Sequence, residues 1–422
     1  MTLTQPPARD IAAARAIAPA REPVPRPRPG AAPTGAYLLV VLTAGAYLPS
    51  PLYPAYQQAL GMSDLTMTLV YAMFALVSAP ALLLLGPAAD ALGPRPVLRA
   101  AVLAAAFGSA CFALASGPEW LLAGRAAQGF ALGAATGAAT ELITRANGSY
   151  AQRAALASAA FLGGTAAGPV AGGLLAEFAP WPRVLPHLVV LGLLALGWYL
   201  VATRVPGGHG SGPRWRPARP RIPRGMRLRF SAAAASGFLA WTVAGLFLAV
   251  IPALLARSGQ TGTAVPGSIL GAVLICSMLV QPLVARAGER WAQLVGLGGL
   301  LVSLAILAGT AAGSVLLTLT AAVIAGLGHG LTYGGAAAAV GAVAPAPQRA
   351  GVTAAAYVAF YLGSGCPAVI VGALTLRWSL ETATSAVTTV AAAAVAPAIA
   401  AVWCVGRRRP GAAAPDATDG GR

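Results

Sequence analysis

Arg125 and Gln128 stand one turn apart inside an otherwise apolar run, residues 121–143. A guanidinium in hydrocarbon costs at least ~2.5 kcal/mol on insertion scales. It should therefore face a wet cavity and bond to polar neighbours, and Gln128 shares its helix face at i, i+3. The alternative is an arginine that snorkels to the membrane surface, because it lies close to the start of the run. His329 occupies the middle of another apolar run, 316–343, with Tyr333 one turn later. Imidazole is the side chain whose charge changes near neutral pH. Trp241 and Tyr47, also within apolar runs, are candidates for aromatic walls. Cys111, Cys276, Cys366 and Cys404 are scattered through apolar segments without CxxC spacing, as small buried apolar residues would be. No metal-ligand cluster and no nucleophile–base constellation stands out, so neither an enzyme nor a cofactor is expected.

The elements that must position these residues are membrane helices. The chain has 422 residues, 57% hydrophobic and 9% charged, against about 25% charged in a soluble domain. Twelve apolar runs alternate with short polar breaks, roughly 36–56, 65–85, 97–115, 121–143, 154–177, 185–202, 232–255, 264–285, 294–311, 316–343, 352–376 and 382–402. Most reach the ~20 residues a helix needs to cross the hydrocarbon. Residues 1–34, interrupted by Arg15 and prolines, read as a disordered tail rather than a secretory signal.

The net charge of +17 could suggest a nucleic-acid binder, but the placement of the arginines argues against one. With the N-terminus cytoplasmic, 24 of the 28 fall in segments on that side, and only Arg183, Arg257 and Arg377 fall opposite. This is the positive-inside pattern, with both termini cytoplasmic. Trp120 and Trp181, near the outer boundaries, read as interfacial anchors. An Arg- and Pro-rich linker, 205–229, divides the chain into six-helix halves, 35–204 and 230–405, before a disordered tail, 406–422. Gly93 and Arg95 recur 195 positions later as Gly288 and Arg290, and Gln152-Arg153-Ala154 recurs 196 later as Gln348-Arg349-Ala350. Weak internal symmetry of this kind marks transporter folds.

Two motifs carry a family resemblance. Gly164, Gly168, Pro169, Gly172 and Gly173 form G-x-x-x-G-P-x-x-G-G within the fifth run. Small residues there let helix backbones approach closely, and the proline bends the helix. The spacing resembles the fifth-helix motif of exporters in the major facilitator superfamily. Gly86, Asp90, Gly93 and Arg95 match that superfamily's G-x-x-x-D-[RK]-x-G-[RK]-[RK] loop after the second helix, with Ala91 and Pro94 where basic residues are usual. Arg125, Gln128 and Gly129 match its R-x-x-Q-G pattern, and Ser50-Pro51-Leu52-Tyr53-Pro54 and Gly61-Met62-Ser63 are also similar to bacterial members.

The resemblance implies an all-α membrane protein of twelve transmembrane helices in two pseudo-symmetric six-helix bundles. It implies a proton-coupled exporter, a monomer in the bacterial cytoplasmic membrane, whose partners are a small-molecule substrate, protons and the bilayer. Asp90, Arg95 and Glu141 would form a cytoplasmic gate, in which Arg95 latches to Glu141; Asp90 as a plain helix cap is the alternative. In that fold the first, fourth, seventh and tenth helices line the cavity, which brings Tyr47, Arg125, Trp241 and His329 together. The first, seventh and tenth runs hold no Asp or Glu. A cavity with Arg125 and His329 but no carboxylate should repel a permanent organic cation and take a neutral, amphipathic or anionic solute. An importer or facilitator is the alternative within the family. A sensor or scaffold using the basic linker is the alternative outside it. Without Lys the chain cannot form a G-x-x-x-x-G-K-[ST] phosphate loop, which excludes ATP-driven transport by this chain alone.

Overall fold

The computed structural model describes residues 30–86, 88–145, 149–207, 222–344 and 349–407. The expected tails, apart from residues nearest the first and last helices, and most of the expected linker lie outside the described residues. Twelve long helices run through the described chain: α1 Ala31–Tyr47, α2 Asp64–Leu85, α3 Pro94–Ala113, α4 Pro118–Thr144, α5 Tyr150–Phe178, α6 Leu185–Arg204, α7 Arg227–Ala249, α8 Ala264–Leu279, α9 Glu289–Thr310, α10 Val315–Val343, α11 Arg349–Leu374 and α12 Leu380–Arg407. Among the described residues, eleven spans are long and apolar enough to cross a membrane. The one that falls short is α4, whose hydropathy is lowered by Arg125, Gln128 and its glycines. It is shielded instead by packing against α1, α2 and α3.

Local chemistry explains the helix ends. Ser149 and Gln152 form a reciprocal capping box at the start of α5. Ser63 caps α2 by accepting from the Thr66 N–H at 3.1 Å. Prolines break the C-terminal ends of α1 and α7. After Tyr47 the chain passes through a 3₁₀ turn, Ser50–Leu52, and resumes as Tyr53–Leu60; after Ala249 it resumes as Ile251–Arg257. Pro49, Pro51 and Pro252 supply no N–H to the helix ladder, so the breaks fall beside them.

The halves repeat one another. In the first, α4 packs on α1, α2 and α3, while α1 also packs on α5 and α6; in the second, α10 packs on α7, α8 and α9, while α7 packs on α11 and α12. The spaced Gly–Arg repeat has a structural counterpart. Gly93 and Gly288 precede α3 and α9 with nearly equal dihedrals, φ 85° ψ 157° and φ 79° ψ 154°, a region that only glycine enters readily. Arg95 donates to the Ala202 carbonyl at the end of α6, and Arg290 donates to the Trp403 carbonyl near the end of α12. The halves meet along two seams, α5 with α8 and α2 with α11. Large apolar side chains such as Leu76, Leu103, Val295 and Val390 face outward, as lipid-facing residues do.

Candidate functional site

Arg125 is 1% exposed, the largest fully buried side chain among the described residues. Its Nη1 donates to the Ala46 carbonyl and, at 3.0 Å, to Gln128 Oε1. Gln128 Nε2 in turn donates to the Gly45 carbonyl at 3.3 Å. The local sequence explains the match. Pro49 has no N–H to offer Gly45 four residues earlier, so the broken end of α1 presents unsatisfied carbonyls. Arg125 and Gln128 reach across from α4 and cap them. The guanidinium carbon also lies 4.6 Å from the Phe74 ring centroid and 5.8 Å from that of Tyr71. Among the described residues no carboxylate is within ion-pair distance of it. The negative end of the α1 dipole and two aromatic faces take the counter-ion's place.

In the second half, His329 Nδ1 lies 2.8 Å from Ser277 Oγ, and its Nε2 is buried without a partner. The imidazole stacks on Tyr333, with ring centroids 5.6 Å apart and planes 13° apart, and meets Trp241 edge-on at 5.1 Å. Trp241 Nε1 is likewise buried and unpartnered. Tyr333 shares a 3.0 Å hydroxyl–hydroxyl bond with Tyr357. Tyr47 packs edge-on against Phe74 at 5.7 Å, Phe74 against Tyr361 at 6.3 Å, and Tyr71 bonds Ser364 at 2.7 Å. The two polar centres are thus separated by an aromatic layer contributed by both halves. His329, Tyr333 and Trp241 are brought into mutual ring contact by α10 and α7, and of the three only Tyr333 lines the cavity that opens toward the arginine-rich end. The contributions of Tyr71, Phe74, Tyr357 and Tyr361 escape the sequence reading, because aromatics in α2 and α11 look like ordinary packing there.

A cavity of about 270 Å³ opens between the halves toward the arginine-rich end, and Tyr333 and Tyr357 are among its lining residues. Thr136, Thr140 and Thr144 line one wall at a four-residue spacing, and Gln281 lines the other. None of its lining residues is charged. Arg125 does not line it. The wet surroundings expected for Arg125 are replaced in this conformation by the α1 carbonyls and aromatic rings, because the α1 break creates acceptors beside it. The threonine ladder was legible as spacing but carries no charge to attract notice.

At the opposite end a wider cavity of about 600 Å³ is lined by residues of both halves, among them Pro51, Gln57, Pro252 and Thr263, and bonds between the halves hold the two together around it. Arg257 Nη2 holds both oxygens of Asp64 at 2.8 Å. Glu177 accepts from the Ala264 N–H at 2.6 Å, and Thr263 donates to the Gly173 carbonyl at 2.8 Å. Because Arg257 is 42% exposed, its pair with Asp64 is worth up to ~1 kcal/mol. Asp64→Asn should therefore raise the population open at this end by no more than roughly fivefold. Double electron–electron resonance between spin labels flanking the pair should show added long distances. An unchanged distance distribution would remove this pair from the bonds that hold the halves together.

Of the α5 motif glycines, Gly173 lies at the seam between the halves, while the others pack within the first half. A Cβ on Gly168 would stand 2.5 Å from the Ala44 carbonyl oxygen and 3.0 Å from the Leu48 nitrogen, both in or beside α1. Gly164 and Gly172 abut α1 in the same way, at Val40 and Leu48, while Gly173 and the Pro169 carbonyl face Thr263 and Gly267 of the second half. Gly363 of α11 faces α7 and Gly365 and Gly372 face α2, a counterpart stripe whose irregular spacing hides it in the sequence.

The expected gate is only partly assembled. Arg95 is engaged with the Ala202 carbonyl, and Glu141 pairs with Arg145 one turn on, so Arg95 and Glu141 are not joined. This corrects the expected latch. Arg95 sits at the start of α3 beside the carbonyl end of α6, where a cation is favoured. Gly86 passes close to α4 at Gly137, and Gly93 turns the chain into α3. The side chain of Asp90 lies outside the described residues.

With this arrangement in view, comparison with known proteins agrees. Residues 36–256 match the Major Facilitator Superfamily. The chain is 34% identical over 146 residues to the puromycin resistance protein pur8 of Streptomyces alboniger, a match covering 34% of this chain and 29% of that protein's length. Among solved structures, it superposes on a POT family transporter in complex with 5-aminolevulinic acid with a TM-score of 0.70 at 14% identity, covering 89% of this chain and 96% of that one. For the nucleoside transporter NupG the values are 0.68, 13%, 89% and 99%. For an inward-facing, unoccupied bacterial homologue of the lysosomal transporter Spinster they are 0.67, 16%, 89% and 96%. With twelve helices in two repeated halves, two inter-half seams and a family match over more than half its length, the chain belongs to the major facilitator superfamily of membrane transporters.

Proposed function

We propose that this transporter is a proton-coupled exporter of a neutral, amphipathic or anionic small molecule. It would act as a monomer in the bacterial cytoplasmic membrane, with both termini and the arginine-rich end cytoplasmic. The observation that carries the reading is the α5 stripe, Gly164 to Gly173, which packs tightly on α1 of its own half and, at Gly173, on α8 across the seam between the halves. The name of the Streptomyces relative, a resistance protein, supports the outward direction. Substrate would enter the uncharged cavity from the arginine-rich end and reach Tyr333 and Trp241. Arg125 and Gln128 brace the α1 break above it, and His329, with its free Nε2, is the candidate proton or substrate contact. The loop of Gly86, Asp90, Gly93 and Arg95, with Glu141, would govern closure of the cytoplasmic end. Rocking of the halves would expose the site to each side in turn.

The test is transport by purified protein in proteoliposomes, with puromycin and a neutral aromatic amide, its carboxylate and its quaternary ammonium analogue as probes. An imposed pH gradient should accelerate movement of the neutral or anionic probes against their own gradient, and a protonophore should abolish this. Transport indifferent to the pH gradient would favour a facilitator. A preference for the quaternary ammonium compound would overturn the assignment of substrate charge.

A further inference from the structure

Two arginines converge on one tryptophan at the lipid-facing edge of the second half. Arg290, in the first turn of α9, lays its guanidinium carbon 4.6 Å from the Trp403 ring centroid and 5.8 Å from that of Trp291. Its Nη2 donates to the Trp403 carbonyl at 3.3 Å, while its Nε is buried without a partner. Arg407, the last residue of α12, stacks on the same Trp403 ring at 4.8 Å. Gly406 makes the approach possible, since a Cβ there would stand 2.8 Å from the Arg290 guanidinium carbon.

Neither arginine has a carboxylate within ion-pair distance among the described residues. Two like charges share one ring, offset only by the Trp403 carbonyl and the C-terminal end of α12, and because Arg407 stands at the exposed helix end an anion beside the pair would offset the remainder. The surroundings say what kind of anion. Trp291 is 54% exposed and Trp403 36%, and Val295, one turn further along α9, is 60% exposed. The cleft therefore sits where an apolar surface meets the polar boundary, the level at which tryptophans and arginines meet lipid headgroups. An anion arriving there comes with acyl chains that the apolar flank can cover.

We propose that the cleft of Arg290, Trp403 and Arg407 binds the phosphodiester of an anionic glycerophospholipid. The two guanidinium groups hold the phosphate oxygens through charge-assisted hydrogen bonds, and the tryptophans pack against the glycerol and upper chain. The first half carries only part of this arrangement. Arg95 has the matching carbonyl bond to Ala202, but Arg99 is the arginine that stacks on Trp198, at 5.1 Å, so two cations do not share a ring there. The paired cleft belongs to the second half and depends on neither the direction nor the coupling of transport.

Native mass spectrometry of the detergent-purified full chain tests this, with phosphatidylglycerol and phosphatidylcholine of matched acyl chains titrated separately. Phosphatidylglycerol should be retained preferentially. The double variant Arg290→Gln, Arg407→Gln should weaken its retention roughly 30-fold, at about fivefold for each arginine near the surface. Arg286→Gln, which removes an exposed cation of the same end outside the cleft, should leave retention unchanged. Equal retention of the two lipids by the unmodified chain would overturn the proposal, and this comparison needs no variant to fold. So would an Arg286→Gln loss as large as that of the double variant, which would mean diffuse attraction. Displacement by soluble glycerol phosphate at the concentrations effective for phosphatidylglycerol would also overturn it, because the site would then read a free anion and not a lipid.

Discussion

Gly168→Leu is expected to abolish transport and to lower the thermal stability of the detergent-solubilised protein. The glycine faces backbone, not a flexible side-chain tip: its Cβ would stand 2.5 Å from the Ala44 carbonyl oxygen and 3.0 Å from the Leu48 nitrogen. Backbone in a helix cannot step aside without moving the whole helix. A leucine must therefore wedge α5 away from α1, at a cost of about 3 kcal/mol or more from overpacking. In hydrocarbon the two helices are held together by van der Waals packing, and no hydrophobic force draws them back once they are wedged apart. The displacement reaches the inter-half seam directly, since Gly173, five residues on, abuts Thr263 and Gly267 of the second half. Gly192→Leu is the matched control, because nothing lies within 4 Å of a Cβ at that position on α6. It should transport and melt like the unmodified protein. Wild-type transport by Gly168→Leu would show that α5 and α1 do not need their close approach.

Arg125→Met should also stop transport, for a different reason. Methionine matches much of the arginine's length but offers no donor, so the Ala46 carbonyl loses its Nη1–H and Gln128 loses the donor that orients its amide. A buried acceptor left bare costs ~1–3 kcal/mol, and removing the cation from the faces of Phe74 and Tyr71 adds ~1–2 kcal/mol. Part of this is returned, because methionine needs no burial of an uncompensated charge. The net expectation is a destabilisation of about 2 kcal/mol with transport reduced at least roughly tenfold. Arg125→Lys separates the two effects. An ammonium can cap one carbonyl but has no planar fork to reach Gln128 as well and stack on Phe74. It should restore most of the stability and little of the transport. Differential scanning fluorimetry and proteoliposome flux measure the two quantities. If lysine restores both, Arg125 acts as a positive charge alone and the capping geometry is irrelevant to its role.

These two residues also show how far the chain's order of residues reaches. The density of apolar residues made membrane-spanning helices unavoidable, because hydrocarbon leaves a backbone no other partner than itself. The arginines marked one end of the bundle, the prolines marked the helix breaks, and the spacing of Gly164, Gly168, Pro169, Gly172 and Gly173 announced a close packing seam. The repeat of Gly93 and Arg95 at Gly288 and Arg290 foretold two like halves, with matching dihedrals and matching carbonyl bonds. Apart from those carbonyl bonds, which span more than a hundred residues, all of these are local: each follows from a residue's own backbone preference or its transfer energy.

What only the tertiary structure decided are the partners. Arg125 announced itself as costly in lipid, yet nothing near it in the chain reveals that its acceptors are carbonyls of α1 freed by a proline some 80 residues earlier. Asp64 and Arg257 are 193 positions apart, and only the packing of one half on the other brings Arg257 Nη2 onto both carboxylate oxygens. Arg95 and Glu141, joined by family pattern, turn instead to Ala202 and Arg145. The reason is one of range. Propensity and hydropathy act along a few residues, whereas a buried hydrogen bond is chosen among whatever groups packing brings within about 3 Å, and in a twelve-helix bundle those groups come from distant segments.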